Sequence, residues 1–123
     1  MQTVAEIMAP EPITADPAEL VGEVRDRILS TGIHFLPVVE DGRAVGVVSS
    51  WDLVEEYQPE ESITNVMSGR VVMIGPHASI DEAAHRMLGE FIHHLVVADD
   101  EGRVVGIVSS FDLLAEFAGP VPD

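Results

Sequence analysis

The sequence predicts an α/β chain of the α+β type, assembled from two copies of one small unit. Three observations carry that expectation. The stretch Gly42 to Leu53, GRAVGVVSSWDL, returns as Gly102 to Leu113, GRVVGIVSSFDL, with nine of twelve positions identical. The match extends outward: Thr3–Met8 aligns with Ser62–Met67, Pro17 with Pro76, and Thr31–Asp41 with Glu90–Asp100, with Glu101 as one extra residue. Within each copy, helical and strand-like apolar patterns alternate. Each unit is about 55–60 residues long, the scale of one supersecondary repeat. The boundaries read as 1–57 and 58–117, with a flexible tail at 118–123. A unit so small is marginal alone, so one shared core is expected. The join, Tyr57 to Ser62, is too short for a free linker.

The elements follow in order. Thr3 and Glu6 form a capping-box pattern that opens a short helix ending at Met8. Pro12 to Ala15 reads as a weak strand. Asp16, Pro17 and Glu19 supply N-cap, N1 and N3 signals for a helix to about Ser30, with Val21, Val24 and Ile28 as its apolar stripe. Leu36–Val39 and Ala44–Val48 form a hairpin around Glu40-Asp41-Gly42. A closing helix begins near Ser49. The second copy repeats this order: strand Val71–Ile74, a helix capped by Ser79 and Glu82 with Ala83, Met87 and the start of Phe91-Ile92 as its stripe, strands Leu95–Ala98 and Val104–Val108, and a helix from Ser109.

Composition narrows the function. At 123 residues and 46% hydrophobic, the chain can build a real core. It has no cysteine, which excludes disulfides and thiol chemistry. No basic start with a long apolar run marks a signal peptide, and no run approaches a membrane span, so a cytoplasmic location is expected. The net charge is −16, and all six cations are arginines. Such a chain repels phosphate backbones and anionic lipids, so neither nucleic acid nor membrane is expected as a partner.

The Ser-Ser-aromatic-Asp junctions, Ser49 to Asp52 and Ser109 to Asp112, carry the chemistry. A strand-to-helix N-cap with an acid at N3 accounts for them on its own. A ligand reading adds to that. A carboxylate only accepts hydrogen bonds, which suits a vicinal diol such as a ribose and repels phosphate. The serine hydroxyls and nearby N–H groups could take a phosphate oxygen instead. Adjacent apolar strands could clamp a flat base.

These residues resemble the tandem cystathionine-β-synthase (CBS) domain pair. The matching features are the helix ending Ile-Met or Val-Met, the His-x-Leu-Pro-Val-Val strand, and Gly-x-x-Ser-x-x-Asp before a helix, over about residues 3–117. The resemblance implies two units packed sheet to sheet about a pseudo-two-fold axis. It implies clefts between the repeats that take AMP, ADP, ATP or S-adenosylmethionine, with no cofactor required. It implies control of a separate effector protein and a disc-like homodimer. By the same resemblance, Asp52 and Asp112 would hold ribose; Ser49 and Ser109, with Ser50 and Ser110 beside them, would sit near phosphate or ribose. Gly46 and Gly106 would permit close backbone approach. Ile13 and Thr14, with Val72 and Met73, would line the base pocket, and His34 and His93 would face phosphate. Pro37 belongs to the strand motif, and Val96 replaces it in the second copy. Met73 lacks the hydroxyl of Thr14, so the two sites should differ. The shortage of basic residues favours AMP, ADP or a cationic adenosyl ligand over a triphosphate.

Other readings are weaker. His93 and His94 are adjacent on a strand and point to opposite faces, which argues against a shared metal. Trp51 and Phe111 occupy one slot and read as core or dimer packing rather than base stacking. Leu53, Val54, Tyr57, Leu113, Leu114 and Phe117 extend that surface. No cysteine nucleophile, Gly-x-Ser-x-Gly elbow or P-loop is present, so an enzyme is not expected. The competing functional reading is a structural dimerisation module with vestigial sites.

Overall fold

A computed structural model describes residues 2–54, 57–120 and 122. The elements run α1 (Val4–Ile7), β1 (Ala9–Pro10), α2 (Val21–Thr31), β2 (Phe35–Glu40), β3 (Arg43–Ser49), a 3-10 turn (Ser50–Leu53), a second (Ile63–Asn65), β4 (Met73–Ile74), α3 (Ile80–Glu90), β5 (His94–Ala98), β6 (Val104–Ser109) and α4 (Ser110–Ala118). They form two compact units. The N-unit is Ile13–Val71; the C-unit joins Met1–Pro12 to Val72–Asp123. The repeat boundaries and the compact units therefore differ: each repeat lends its leading segment to the body of the other.

The exchange has matching hydrogen bonds in the two units. In the C-unit, Val4 N–H donates to Ala78 O at 2.9 Å and Ile80 N–H to Gln2 O at 3.3 Å. In the N-unit, Ile63 N–H donates to Glu19 O at 3.0 Å and Val21 N–H to Glu61 O at 2.8 Å. The join is thus docked backbone, with Pro59 O also taking Gly22 N–H at 3.0 Å.

Each unit has its own hydrophobic cluster, which corrects the expected single core. Val21, Val24, Ile28, Leu36, Val38, Val48 and Ile63 cluster in the N-unit. Val4, Ile74, Ala83, Met87, Leu95, Val97 and Val108 cluster in the C-unit. The strand period of two sends Leu36 and Val38, or Leu95 and Val97, towards the same helix-covered face, so each sheet closes over its own helices.

Several boundaries shift for local reasons. Helix α2 starts at Val21, five residues after the expected cap. Asp16 and Glu19 form a turn instead, with Ala18 N–H on Asp16 Oδ1 at 2.8 Å and Asp16 N–H on Glu19 Oε2 at 2.8 Å. The leading N–H groups of the helix are taken by the join, so no cap at Asp16 is needed. Phe91 is not part of the α3 stripe. It closes the helix in the left-handed region at φ 57°, where α2 ends in Gly32 at φ 75°, and it is 92% exposed. The first closing helix is one 3-10 turn, whereas α4 runs through Ala118, the start of the expected tail. Val121 and Asp123 of that tail lie outside the described residues. Both hairpins turn through glycine with positive φ, Gly42 at 81° and Gly102 at 82°.

The sheet of the C-unit has the order β1-β6-β5-β4, with β1 antiparallel to β6 and β4 parallel to β5. In the N-unit the β2–β3 hairpin stands where β5–β6 stand, and only single bridges, Ala15 with Val38 and Val47 with Ser68, replace the outer strands. The expected strand at Pro12–Ala15 is therefore absent as a strand.

The glycines of β3 and β6 are required by this packing. A Cβ at Gly46 would collide with the Met67 thioether and lie 3.0 Å from Ser68 O; one at Gly106 would collide with Met8 and lie 3.0 Å from Ala9 O. The backbone approach expected at these glycines is made by the leading segments. Gly46→Ala should lower stability by about 1–3 kcal/mol through overpacking, read as a fall in the urea midpoint, and Gly106→Ala should behave alike.

Candidate functional site

The two Ser–Asp junctions have nearly the same geometry. Ser49 sits at φ −110°, ψ 162° and Ser109 at φ −112°, ψ 163°, each the last extended residue before a helical turn. Asp52 Oδ2 accepts from Ser49 N–H at 2.8 Å and from Ser49 Oγ–H at 3.1 Å. Asp112 Oδ2 accepts from Ser109 N–H at 2.8 Å and from Ser109 Oγ–H at 3.0 Å, and Asp112 N–H returns a bond to Ser109 Oγ at 3.2 Å. These are capping boxes, so the structural reading of the motif holds. The same oxygen takes both bonds in each box. Oδ1 takes no part in it, leaving acceptor capacity on a half-exposed carboxylate.

Some of the remaining candidate residues are tied to the junctions through the backbone. Ser50 N–H donates to His34 O at 2.9 Å, and Ser110 N–H to His93 O at 2.8 Å, which ties the start of each β2 or β5 strand to the turn. The side chains of His34 and His93 are exposed. Ile13 and Thr14 enter the N-unit just ahead of Ala15, whose N–H bonds Pro37 O at 3.0 Å; Val72 and Met73 hold the same place in the C-unit. Each unit thus contains one full set: Ile13, Thr14, His34, Pro37, Gly46, Ser49, Ser50 and Asp52 in one, Val72, Met73, His93, Gly106, Ser109, Ser110 and Asp112 in the other.

His93 and Ser110 also border a different feature. With Met87, Leu88, Phe91, Leu113 and Leu114 they line an apolar groove of about 590 Å³ between α3 and α4. Trp51 and Phe111 are each 80% exposed and fill no core, whereas Leu53, Tyr57 and Leu113 are half-buried against the cores of their units. Among the described residues, no three His, Asp or Glu side chains gather to hold a metal, and no helix is long and apolar enough to cross a membrane.

The model of the CBS domain family matches residues 4–59 and again 63–119. The chain belongs to the CBS domain family. It is 31% identical to the CBS domain pair of protein MJ0100 in complex with 5′-methylthioadenosine and S-adenosyl-L-methionine, covering 97% of this chain and 98% of that one at a TM-score of 0.88. It is 30% identical to the cytosolic domain of the Mg2+ channel MgtE in complex with ATP, covering 89% and 46% at a TM-score of 0.79. Among curated proteins, it is 32% identical over 118 residues to the L-aspartate semialdehyde sulfurtransferase of Methanocaldococcus jannaschii. It is 30% identical to the homoserine O-acetyltransferase of Methanohalobium evestigatum. The match covers 94% and 89% of this chain but only 23% of each of those proteins.

The two CBS units hold their first-strand segments differently, a feature that sequence reasoning missed. Arg27 Nη1 donates to Thr14 O at 3.0 Å and to Glu19 Oε2 at 2.8 Å, and Nη2 reaches Glu19 Oε1. This bidentate hydrogen bonding holds the Glu19 carboxyl below the usual range against the opposing effect of burial, helped by Asp16 N–H and the Arg27 charge; Arg27 is raised in turn. The available signal was the repeat alignment itself: Arg27 recurs as Arg86, but Glu19 aligns with Ala78. Because the folded carboxyl is depressed, the stability from this pair is complete above the unfolded glutamate pKa and is lost as pH falls through the folded value. Glu19→Gln should therefore cost about 1–2 kcal/mol at neutral pH, and the gap to wild type should narrow as pH falls below the unfolded glutamate value, read in urea titrations at stepped pH.

Proposed function

We propose that the chain is a regulatory module that binds adenosine-containing ligands at its two Ser–Asp junctions and thereby controls a separate partner protein. The observation that carries this reading is the duplicated box in which one carboxylate oxygen is committed to the serine and the other is left over. A vicinal diol needs acceptors that are held still, and a carboxylate locked by two hydrogen bonds supplies one without further ordering cost. The complexes formed by similar CBS pairs, with 5′-methylthioadenosine and S-adenosyl-L-methionine in one and ATP in the other, support the ligand class. The net charge of −16 favours AMP, ADP or cationic S-adenosylmethionine over ATP. Thr14 offers a hydroxyl where Met73, exposed at the start of β4, offers a thioether, so the two sites differ in affinity. Regulation follows if the ligand binds one arrangement of the protein better than another.

The module also offers a surface for a second copy. Leu88, Phe91 and Leu114 are exposed along the α3–α4 groove, and Phe117 is exposed farther along α4. Phe91 keeps an aromatic side chain in a left-handed conformation that glycine fills in the first repeat, a cost that a monomer does not repay. We assign this face to self-association.

AMP or S-adenosylmethionine should raise the melting temperature of ligand-free protein in a concentration-dependent way. Asp52→Ala and Asp112→Ala should each remove part of that rise and together abolish it; an unchanged rise in the double variant contradicts the assignment. Phe91→Gly should leave the monomer as stable or stabilise it by up to about 1 kcal/mol, while sedimentation shows weaker self-association.

A further inference from the structure

We infer that Arg27 is a positioning residue for the Ile13–Thr14 segment, standing in for a backbone hydrogen bond that Pro37 cannot make. The inference deepens the adenosyl-ligand reading and rests on it for its functional half. The comparison lies inside the molecule. In the C-unit, Val96 N–H donates to Val72 O at 3.0 Å, which extends the parallel ladder of β4 and β5 by one residue and fixes Val72–Met73. The pairing registers Leu36–Val48 and Leu95–Val108, with Val38–Gly46 and Val97–Gly106, place Pro37 where Val96 stands. Proline has no N–H, so Ile13 O receives no such bond. The two ladder bonds that remain, Ala15 N–H to Pro37 O at 3.0 Å and Val39 N–H to Ala15 O at 2.8 Å, begin at Ala15, two residues after Ile13. This is why the N-unit shows a lone bridge where the C-unit has β4.

The Arg27 guanidinium holds the segment at the next carbonyl instead. It holds Thr14 O at 3.0 Å while Glu19 fixes the guanidinium by a bidentate pair and also takes Asp16 N–H. In the C-unit, where the ladder bond exists, this clamp is missing. Ala78 stands at the place of Glu19, and Arg86, at the place of Arg27, pairs along its own helix with Glu90 at 3.5 Å. Ladder bond and clamp alternate between the repeats. A side-chain clamp is set by charge and by one guanidinium, so the position of the Thr14 hydroxyl is tunable where that of Met73 is not.

The test is a residue-resolved NMR titration with AMP, together with amide hydrogen exchange of the ligand-free protein. In Arg27→Met, the apparent Kd read at the Ile13 and Thr14 amides should rise about tenfold, the order expected for losing a charge-assisted hydrogen bond. That read at Val72 and Met73 should not change. Exchange at Ala15 should quicken. Adding Pro37→Val, which copies Val96, should restore both the Kd and the protection of Ala15, a rescue that general destabilisation would not give. Arg86→Met should alter neither reading. Arg27→Lys, the milder variant should Arg27→Met fold poorly, should fall between. A wild-type Kd at Thr14 in Arg27→Met, or no rescue by Pro37→Val, overturns the inference. If AMP shifts no amide of the wild-type protein, the ligand reading fails, and with it the functional half; the exchange data then decide the clamp alone.

Discussion

The exchange of leading segments is the constraint on which the rest of the molecule depends. Four backbone hydrogen bonds, two in each unit, stitch residues 2–4 to 78–80 and residues 61–63 to 19–21. They satisfy the first N–H groups of α2 and α3, which a helix must otherwise cap with side chains. They also bring Val4 and Ile63, both wholly buried, into cores built mainly from the other repeat. Neither repeat can complete its sheet or its core from its own residues. The methionine at the end of each leading segment then fills the space over a β-strand glycine, which explains two glycines that carry no turn.

On this scaffold the repeats diverge in their first-strand segments. The junctions at Ser49–Asp52 and Ser109–Asp112 agree to within a few degrees in backbone angle and a tenth of an ångström in hydrogen-bond length. The segments opposite in sequence do not agree: one is laddered, the other clamped by Arg27 and Glu19. A duplicated module with two identical sites reports only ligand concentration. Under the proposed reading, sites that share the carboxylate but differ in the first-strand segment can report on two ligands or two concentration ranges.

Much of this was legible in the residues. The hairpins were, because alternating apolar positions and a glycine with positive φ leave few other choices. The capping boxes at Thr3 and Ser109 and the Ser79 cap on Glu82 N–H were, because they act within four residues. The start of α2 was not. Asp16, Pro17 and Glu19 spell a good helix start, but the N–H groups of Val21 and Gly22 are taken by carbonyls of Glu61 and Pro59, some forty residues away. Arg27 was missed for the same reason. Glu19 looked like a local cap, and its partner on the second turn of the helix is visible only once Thr14 is folded against it. Phe91 looked apolar enough to be core, but its position at the helix end turns it outward. The loss of the first strand was written in one residue, Pro37, whose missing N–H matters only when the ladder is known.

The central claim is that the leftover carboxylate oxygens at the two junctions recognise an adenosyl ligand. The most direct test is a crystal structure of the protein grown with AMP. The account predicts ribose hydroxyls within hydrogen-bonding distance of Asp52 or Asp112 Oδ1, with the bonds from Ser49 and Ser109 to Oδ2 retained. AMP bound elsewhere, with both carboxylates turned wholly to their own serines, would contradict it.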